Sequence, residues 1–254
     1  MIYQKPDLKI TKKHPNSLIL HPTKITIFAE WNGLNLGLTH LIIIFSITTE
    51  IIMKQKTSSL SLQQSCNSHK IQILGYKVLG LDLSKKSIEH KQQFENENLQ
   101  FKVHDMRDMV AHSKVDAVFN LFTSFGYFDS QDDDRKVFKS VSDVLKSDGF
   151  FVLDYLNENY VRKTIVSDAE IQRGGIDFTI SKKIEDQHIV KDIKFSADGQ
   201  DFNFFEKVKL HTPDSIQKYA EDNGFERVKI WGDYQLNDFD AEVSPRCINL
   251  FKKK

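Results

Sequence analysis

From Gly75 onward, short apolar runs alternate with amphipathic runs, a pattern typical of buried strands and surface helices. KIQILGYKVLGLDLS reads as strand, SKKSIEHKQQFENE as helix and LQFKVHD as the next strand. The series continues with VDAVFNLF as a strand, DDRKVFKSVSDVLKSD as a helix and GFFVLDYL as a strand. Because strands that are joined through helices pair in parallel, the sequence predicts a three-layer α/β fold with a mostly parallel sheet.

Residues 168–211 have a different pattern, with short alternating runs such as FTISKKIED, HIVKDIKFSADG and FNFFEKVKL. The pair Asp198-Gly199 is a turn signal between two of these runs. We therefore predict an antiparallel β insertion here. The main pattern then resumes with a helix that Thr212 caps and Pro213 begins, followed by the strands ERVKIWGDY and RCINLFKK.

The N-terminal segment, residues 1–69, does not share this alternation. Its most hydrophobic window, Leu36–Met53, is interrupted by His40 and Glu50, whereas a membrane span needs about 20 predominantly apolar residues. The Ser- and Gln-rich run that follows is typical of a loop. We predict an irregular segment here and a folded domain over residues 70–254; a membrane anchor at Leu36–Met53 is the less favoured alternative.

Composition excludes several classes of partner. The chain has 35 Lys and Arg against 35 Asp and Glu, so it lacks the long-range attraction to nucleic acid that a basic protein has. Cys66 and Cys247 cannot form a disulfide framework, and the nine histidines show no metal-ligand spacing. We expect a cytoplasmic protein without a metal, a nucleic-acid partner or a membrane; the oligomeric state stays open.

Asp82 ends the first clear strand of the parallel series, and Ser84 follows at the start of the next helix. Ligands of parallel sheets bind at the carboxyl ends of the strands. A carboxylate at this place can accept hydrogen bonds from both vicinal hydroxyls of a ribose, which indicates nucleoside recognition. The alternative is that Asp82 only caps the helix together with Ser84.

Asp105 ends the second strand and is followed by Met106 and a second acid, Asp108. A carboxylate can accept a hydrogen bond from an adenine amino group while a methionine packs on the ring. The alternative carries more weight here, because an aspartate at a strand end is a common turn former and Met106 could fill the core.

Asn120 ends the third strand, and an aromatic loop with a glycine follows it. Loops of this kind can form the wall of a ligand pocket. They can equally pack down onto the sheet as core, and the sequence does not decide between the two. The aromatic residues of the loop are Phe122, Phe125, Tyr127 and Phe128.

These runs, in this order, resemble a class I S-adenosylmethionine-dependent methyltransferase of the small-molecule type with a β insertion. The resemblance extends from Gly75 to the C-terminus. It implies a Rossmann-like sheet, S-adenosylmethionine as the cofactor and a small molecule as the methyl acceptor, whose identity stays open. In that family the acid at the position of Asp82 holds the cofactor ribose. The cofactor-binding residues that the resemblance implies are Asp82, Leu83, Asp105, Met106, Asn120, Leu121 and Phe122.

One family feature is missing, namely the Gly-rich motif I after the first strand, whose backbone N–H groups receive the methionine part of the cofactor. Here KIQIL runs into GYKVLGLD with only Gly75 at the junction. A crossover between parallel strands needs about 10 residues or more, so the first loop and helix are absent from this junction. A shifted reading frame across the N-terminal third would account for the missing glycine-rich loop and for the irregular N-terminal segment. The alternative is a non-catalytic remnant that acts at most as a binding module.

The sequence predicts no catalytic base. Methyl transfer needs in-line approach of the acceptor to the sulfonium methyl group, so positioning supplies much of the catalysis. The polar residues that we expect near the substrate are Tyr127, Tyr155, Asn157 and Arg246.

Overall fold

The structure, a computed structural model, describes the backbone of His40–Ile44 and residues 75–110, 113–173, 175–197 and 199–254. Its strands and helices are β1 (His40–Ile44), β2 (Lys77–Asp82), α1 (Lys85–Gln92), β3 (Leu99–Val103), β4 (Val115–Asn120), α2 (Gln131–Val144), β5 (Leu145–Leu156), α3 (Glu158–Thr164), β6 (Asp168–Arg173), β7 (Ile176–Glu185), β8 (His188–Ala197), β9 (Gln200–Lys209), α4 (Pro213–Glu221), β10 (Phe225–Trp231) and β11 (Arg246–Lys253). From β2 onward these elements follow the predicted order, with α3 as an additional helix, whereas β1 lies in the segment that we predicted to be irregular.

The main sheet has seven strands in the order β10-β11-β5-β4-β1-β2-β3. The strands β5, β4, β1, β2 and β3 run parallel to one another. Only β11 runs antiparallel, and it pairs with β5 on one side and β10 on the other. The prediction of a mostly parallel α/β sheet is therefore confirmed.

The central strand of this sheet comes from the N-terminal segment. Ile42 of β1 is aligned with Leu79 of β2 on one side and with Val118 of β4 on the other. Our expectation that residues 1–69 stand apart from the sheet is therefore corrected for β1. The physical reason is that a short, continuous apolar run is typical of a parallel strand buried on both faces. The remainder of that segment, and the run KIQIL, lie outside the described residues.

The pairing of β1 also overturns the alternative of a membrane anchor over Leu36–Met53. Residues His40–Ile44 of that window are extended and paired on both edges, which a membrane-spanning helix does not permit. Within the described part of the chain, no helix has the length and apolar character that crossing a membrane requires.

Two apolar clusters cover the two faces of the main sheet. One cluster joins Phe151 of β5 to Phe138 of α2 and Ile216 of α4. The other joins Val78 of β2 to Ile88 of α1. Helices therefore cover both faces, and the fold has the three layers that the sequence predicts.

Hydroxyl side chains fix the starts of the three longest described helices. Ser84, Ser130 and Thr212 are the N-caps of α1, α2 and α4, and each accepts a hydrogen bond from a backbone N–H in the first turn. These bonds satisfy N–H groups that have no partner inside the helix. The start of α4 thus agrees with the cap that the sequence predicts.

The insertion forms a separate four-stranded antiparallel sheet in the order β6-β7-β8-β9, as predicted. Its register aligns Phe178 with Phe195 and Phe195 with Phe202, so aromatic rings lie side by side across three strands. Its last strand is tied to the main fold, because the Lys209 N–H donates to the Gly126 carbonyl at 2.8 Å. The insertion thereby meets the aromatic loop after β4.

We predict that Ile42→Pro abolishes the cooperative unfolding transition or lowers stability strongly. Proline removes a ladder hydrogen bond from the central strand, and an unsatisfied buried partner alone costs about 1–3 kcal/mol. Val228→Pro is the matched control, because Val228 is exposed on edge strand β10 at a shift in register. Thermal unfolding followed by circular dichroism compares the two. Equal, small effects would show that β1 does not form the centre of the sheet.

Candidate functional site

The strand order reverses between β1 and β4. From β1, the chain continues to β2 and β3 on one side of the sheet and to β4 and β5 on the other. The carboxyl ends of β1 and β4 therefore lie on either side of the point where the order reverses. Ligands of such sheets bind in the crevice at this edge. The candidate site is this edge of the sheet.

Asp82 lies at this edge and is buried, with 1% of its surface exposed. Its Oδ1 accepts the Ser84 N–H at 2.9 Å, and its Oδ2 lies 3.7 Å from the ammonium of Lys91. The helix-capping interpretation is thus realised. Leu83, the next residue, is 58% exposed beside it.

Asp105 is held by Arg107. The Arg107 guanidinium donates to both carboxylate oxygens, with Nε 3.0 Å from Oδ1 and Nη2 2.6 Å from Oδ2. The backbone N–H of Arg107 donates to Oδ1 as well, at 2.9 Å. These hydrogen bonds lower the pKa of Asp105, so the carboxylate is ionised at neutral pH.

Arg107 also connects Asp105 to two neighbouring elements. Its guanidinium lies 4.7 Å from the ring centroid of Phe128 in the loop after β4, and 3.5 Å from Asp133 at the start of α2. Sequence reasoning missed Arg107. One feature of the sequence could have identified it. Arg107 follows an acid at a strand end by two residues, and at this spacing its guanidinium can form a bidentate pair with the carboxylate.

Met106 and Asn120 lie together behind this pair. The Asn120 amide nitrogen is 3.5 Å from the Met106 sulfur, and Met106 packs against the larger apolar cluster. Asn120 is fully buried, and among the described residues its Oδ1 has no hydrogen-bond donor. Met106 therefore has contacts that fit the core interpretation as well as the adenine interpretation.

The chain turns sharply after β4 at Phe122 and Thr123. Their φ angles are +59° and +60°, a left-handed conformation that residues other than glycine rarely adopt. Leu121, which precedes them, is buried, and its carbonyl accepts the Ser124 hydroxyl. The cofactor-binding roles of Asn120, Leu121 and Phe122 stay predictions; their position at the carboxyl edge is as expected.

Asp154 of β5 holds this turn. Its Oδ2 accepts the Phe122 N–H at 2.8 Å and the Tyr234 hydroxyl at 3.0 Å. Its Oδ1 accepts two bonds from Arg246, from Nε at 2.8 Å and from Nη2 at 2.5 Å, and the same Nη2 donates to the Thr123 hydroxyl at 3.0 Å. Asp154 is completely buried. One carboxylate thus joins three segments that are distant in sequence.

The electrostatics of this group are those of a buried ion pair. Burial is the largest single influence on Arg246 and lowers its pKa, but the attraction and hydrogen bonds of Asp154, together with its other neighbours, hold the pKa above its ordinary value. Burial and the same carboxylate raise the pKa of Tyr234, so its phenol stays protonated and donates.

Two residues that we expected near the substrate are buried and bonded to the backbone of the protein. Tyr155 is completely buried, and its hydroxyl donates to the Lys209 carbonyl. Asn157 is buried as well; its amide donates to the carbonyls of Ala241 and Ser244 at 2.9 and 2.8 Å, and it caps α3. A polar side chain at the end of a strand can donate to a buried backbone carbonyl as readily as it can bind a ligand.

The other two predicted substrate residues lie closer to the edge. Tyr127 is 37% exposed in the loop after β4, so it can meet a ligand. Arg246, which we expected near the substrate, forms an ion pair with Asp154. Gly126, next to Tyr127, has a φ of +97°, and a Cβ there would lie 2.1 Å from the Tyr155 hydroxyl. Glycine is therefore required for the loop to approach β5 so closely.

A second buried carboxylate, Asp134 of α2, lies under the insertion. It accepts Lys209 Nζ at 2.7 Å, and its Oδ2 is 3.6 Å from His211 Nε2. The His211 ring stacks on Phe125 with the centroids 4.8 Å apart. This network fixes the insertion to α2. Across the described parts of the chain, no three His, Cys, Asp or Glu side chains form a group that could hold a metal ion.

The family follows from a comparison of the sequence with family models. A model of a methyltransferase domain matches residues 65–195, more than half of the chain. The chain belongs to this methyltransferase family. The match includes the edge residues Asp82, Asp105 and Asn120. No curated protein matches the chain.

Solved methyltransferase structures share the fold. An S-adenosylmethionine-dependent methyltransferase from Clostridium acetobutylicum matches with a TM-score of 0.71 at 17% identity, covering 92% of each chain. CalS10, an amino pentose methyltransferase from Micromonospora echinaspora, matches with a TM-score of 0.65 at 13% identity, covering 95% of this chain and 100% of its own. The sugar N-methyltransferase KedS8 from Streptoalloteichus gives 0.64 at 11%, covering 98% and 100%. At these identities the likeness shows a common fold.

We predict that Arg107→Ala raises the pKa of Asp105 back towards its ordinary value of 3.8. Because pairing lowers the folded-state pKa, its stabilising effect is present above the ordinary pKa and is lost as the pH falls through the folded pKa. The stability difference between the variant and the natural chain should therefore shrink in acid. A carboxyl-carbon NMR titration measures the pKa directly.

Arg135→Ala is the control for this titration. Arg135 forms an exposed ion pair with Asp132 within α2. It should leave the titration of Asp105 unchanged. An unaltered Asp105 titration in Arg107→Ala would mean that the pair does not form in solution.

Proposed function

We propose that the chain binds S-adenosylmethionine along the carboxyl edge of β2, β3 and β4 and transfers its methyl group to a small molecule. The observation that carries the proposal is Asp82, a buried carboxylate at the end of the strand next to β1, where the strand order reverses. Membership of the methyltransferase family supports the reaction type. Neighbours with the same fold include a structure of CalS10 with the cofactor bound.

Asp82 would accept the ribose hydroxyls of the cofactor, and exposed Leu83 would pack against the adenosine. Asp105 would accept the adenine amino group. It can do so without releasing Arg107, because the bidentate pair leaves acceptor sites on the carboxylate. Arg107 would then fix the orientation of the carboxylate and keep it ionised.

Methyl transfer requires the acceptor atom to approach the sulfonium methyl group in line with the breaking bond. Near-attack positioning can supply a large share of the barrier reduction. The loop after β4, with Tyr127 exposed, supplies one wall for this approach. Several neighbours are described as acting on an amino pentose, a sugar or a glycopeptide, which supports a small polar acceptor.

We predict that Asp82→Asn weakens cofactor binding by about 1.5–3 kcal/mol, the contribution of hydrogen bonds to a charged group. The substitution should be made in a chain that carries a restored glycine turn, described below. Asp116→Asn is the matched control, because Asp116 is a largely buried carboxylate paired with Lys146 at 2.6 Å near the opposite end of β4. Calorimetric titration giving equal affinities for both variants would remove Asp82 from the site.

The natural chain should bind the cofactor weakly. Between Gly37 and Gly75 the sequence contains no glycine, so the stretch that follows β1 lacks the turn that receives the methionine end of the cofactor. Losing several hydrogen bonds to a charged ligand end, at about 1.5–3 kcal/mol each, weakens binding by roughly a thousandfold or more.

We predict that a Gly-rich turn placed directly after Ile44 restores binding. The position of β1 moves this turn from the junction at Gly75, where the sequence suggested it, to the end of the first strand. A turn of the same length made of serines is the control. Micromolar binding to the natural chain, measured by calorimetry, would contradict the account and mean that another segment replaces the turn.

The missing glycines also favour a second function, a non-catalytic family member that acts as a binding module. The restored chain separates the two proposals. If it binds the cofactor and transfers the methyl group to a small amine or hydroxyl acceptor, the fold retains its catalytic pocket. Cofactor binding without transfer to any of a panel of such acceptors would favour the binding module.

A further inference from the structure

The turn after β4 is strained at two successive residues. Phe122 and Thr123 have φ angles of +59° and +60°, and neither is a glycine, an asparagine or an aspartate. Residues in this region persist only where surrounding contacts fix them, and they cluster at functional sites. The turn lies at the end of β4, the strand that borders the reversal of strand order.

Contacts from Asp154 fix both strained residues. The carboxylate accepts the Phe122 N–H at 2.8 Å, and the Asp154 carbonyl accepts the Thr123 N–H at 3.1 Å. Arg246 donates to the carboxylate and to the Thr123 hydroxyl with the same nitrogen. The backbone and the side chain of this turn are thus held from one point on the neighbouring strand.

Tyr234 completes the arrangement from the segment between β10 and β11. Its hydroxyl donates to Asp154 at 3.0 Å, its ring lies 6.4 Å from the Phe122 ring, and Arg246 lies 5.6 Å from its ring centroid. A buried ion pair of this kind contributes little net stability, because desolvating the charges costs about as much as they gain. A well-packed apolar pair could replace the charges, but it could not accept the Phe122 N–H.

We propose that Asp154 is a positioning residue, which with Arg246 and Tyr234 holds the Phe122–Thr123 turn in the conformation that forms one wall of the methyl-transfer pocket before any ligand binds. This inference rests on the proposed function for the identity of the pocket. The geometry of the turn itself does not depend on that identity. If the wall is already ordered in the free protein, less conformational entropy is lost when a ligand binds.

The first test measures the turn without any ligand. Asp154→Asn keeps the side-chain shape and one acceptor oxygen but removes the charge that holds Arg246. Hydrogen exchange of the full chain, resolved by NMR, should then be at least tenfold faster at the Phe122 and Thr123 amides. Tyr234→Phe removes a single hydrogen bond and should give a smaller increase at the same two amides. This milder variant decides the matter if Asp154→Asn does not fold.

Asp116→Asn is the matched control, because the Asp116 side chain is largely buried and is paired with Lys146 near the opposite end of β4. It should leave exchange at Phe122 and Thr123 unchanged. Wild-type protection of the two amides in Asp154→Asn, or equal loss in the control, would overturn the proposal by showing that the effect is global.

The second test measures binding of S-adenosylhomocysteine to the chain with the restored glycine turn. Asp154→Asn should raise the dissociation constant about tenfold, and Asp116→Asn should change it less than twofold. Equal affinities would overturn the positioning role. If the restored chain with Asp154 intact binds nothing, the proposed function fails, while the exchange experiment still decides whether Asp154 holds the turn.

Discussion

Parallel pairing of β1 with both β2 and β4 is the constraint on which the rest of the structure depends. A strand with a partner on each edge fixes the order of the sheet on both sides of it, and therefore fixes where that order reverses. The reversal brings the ends of β2 and β4 to one crevice. Asp82 and Asn120 would otherwise be two unrelated acceptors at the ends of two strands.

Two buried aspartates maintain the shape around that crevice. Asp154 fixes the turn after β4, and Asp134 fixes the insertion through Lys209. Each carboxylate binds a positively charged side chain whose burial without a partner would cost free energy. Asp154 in addition accepts a backbone N–H that would otherwise lack a partner. The same loop after β4 is held on one side by Asp154 and approached on the other by the Lys209 N–H, which donates to Gly126. The conformation of the loop after β4 thus depends on contacts between distant segments.

Sequence patterns predicted the features that are local. The carboxyl ends of β2, β3 and β4 were visible because strand periodicity stops at an acid or an amide, and Asp82 lies where that pattern placed it. The roles of Tyr155 and Arg246 could not be read, because their partners, Lys209 and Asp154, are 54 and 92 residues away. Asp154 itself gave one signal, a lone acid inside an apolar strand, which needs a buried partner.

We propose the carboxyl edge beside β1 as the ligand site of this chain. A titration of S-adenosylhomocysteine into the isotope-labelled natural chain, followed by amide NMR up to millimolar ligand, tests this proposal even where binding is weak. We expect shifts at Asp82, Ser84, Met106 and Phe122, with the amides of β7 and β8 unchanged. Shifts confined to β7 and β8, or none at all, would contradict it.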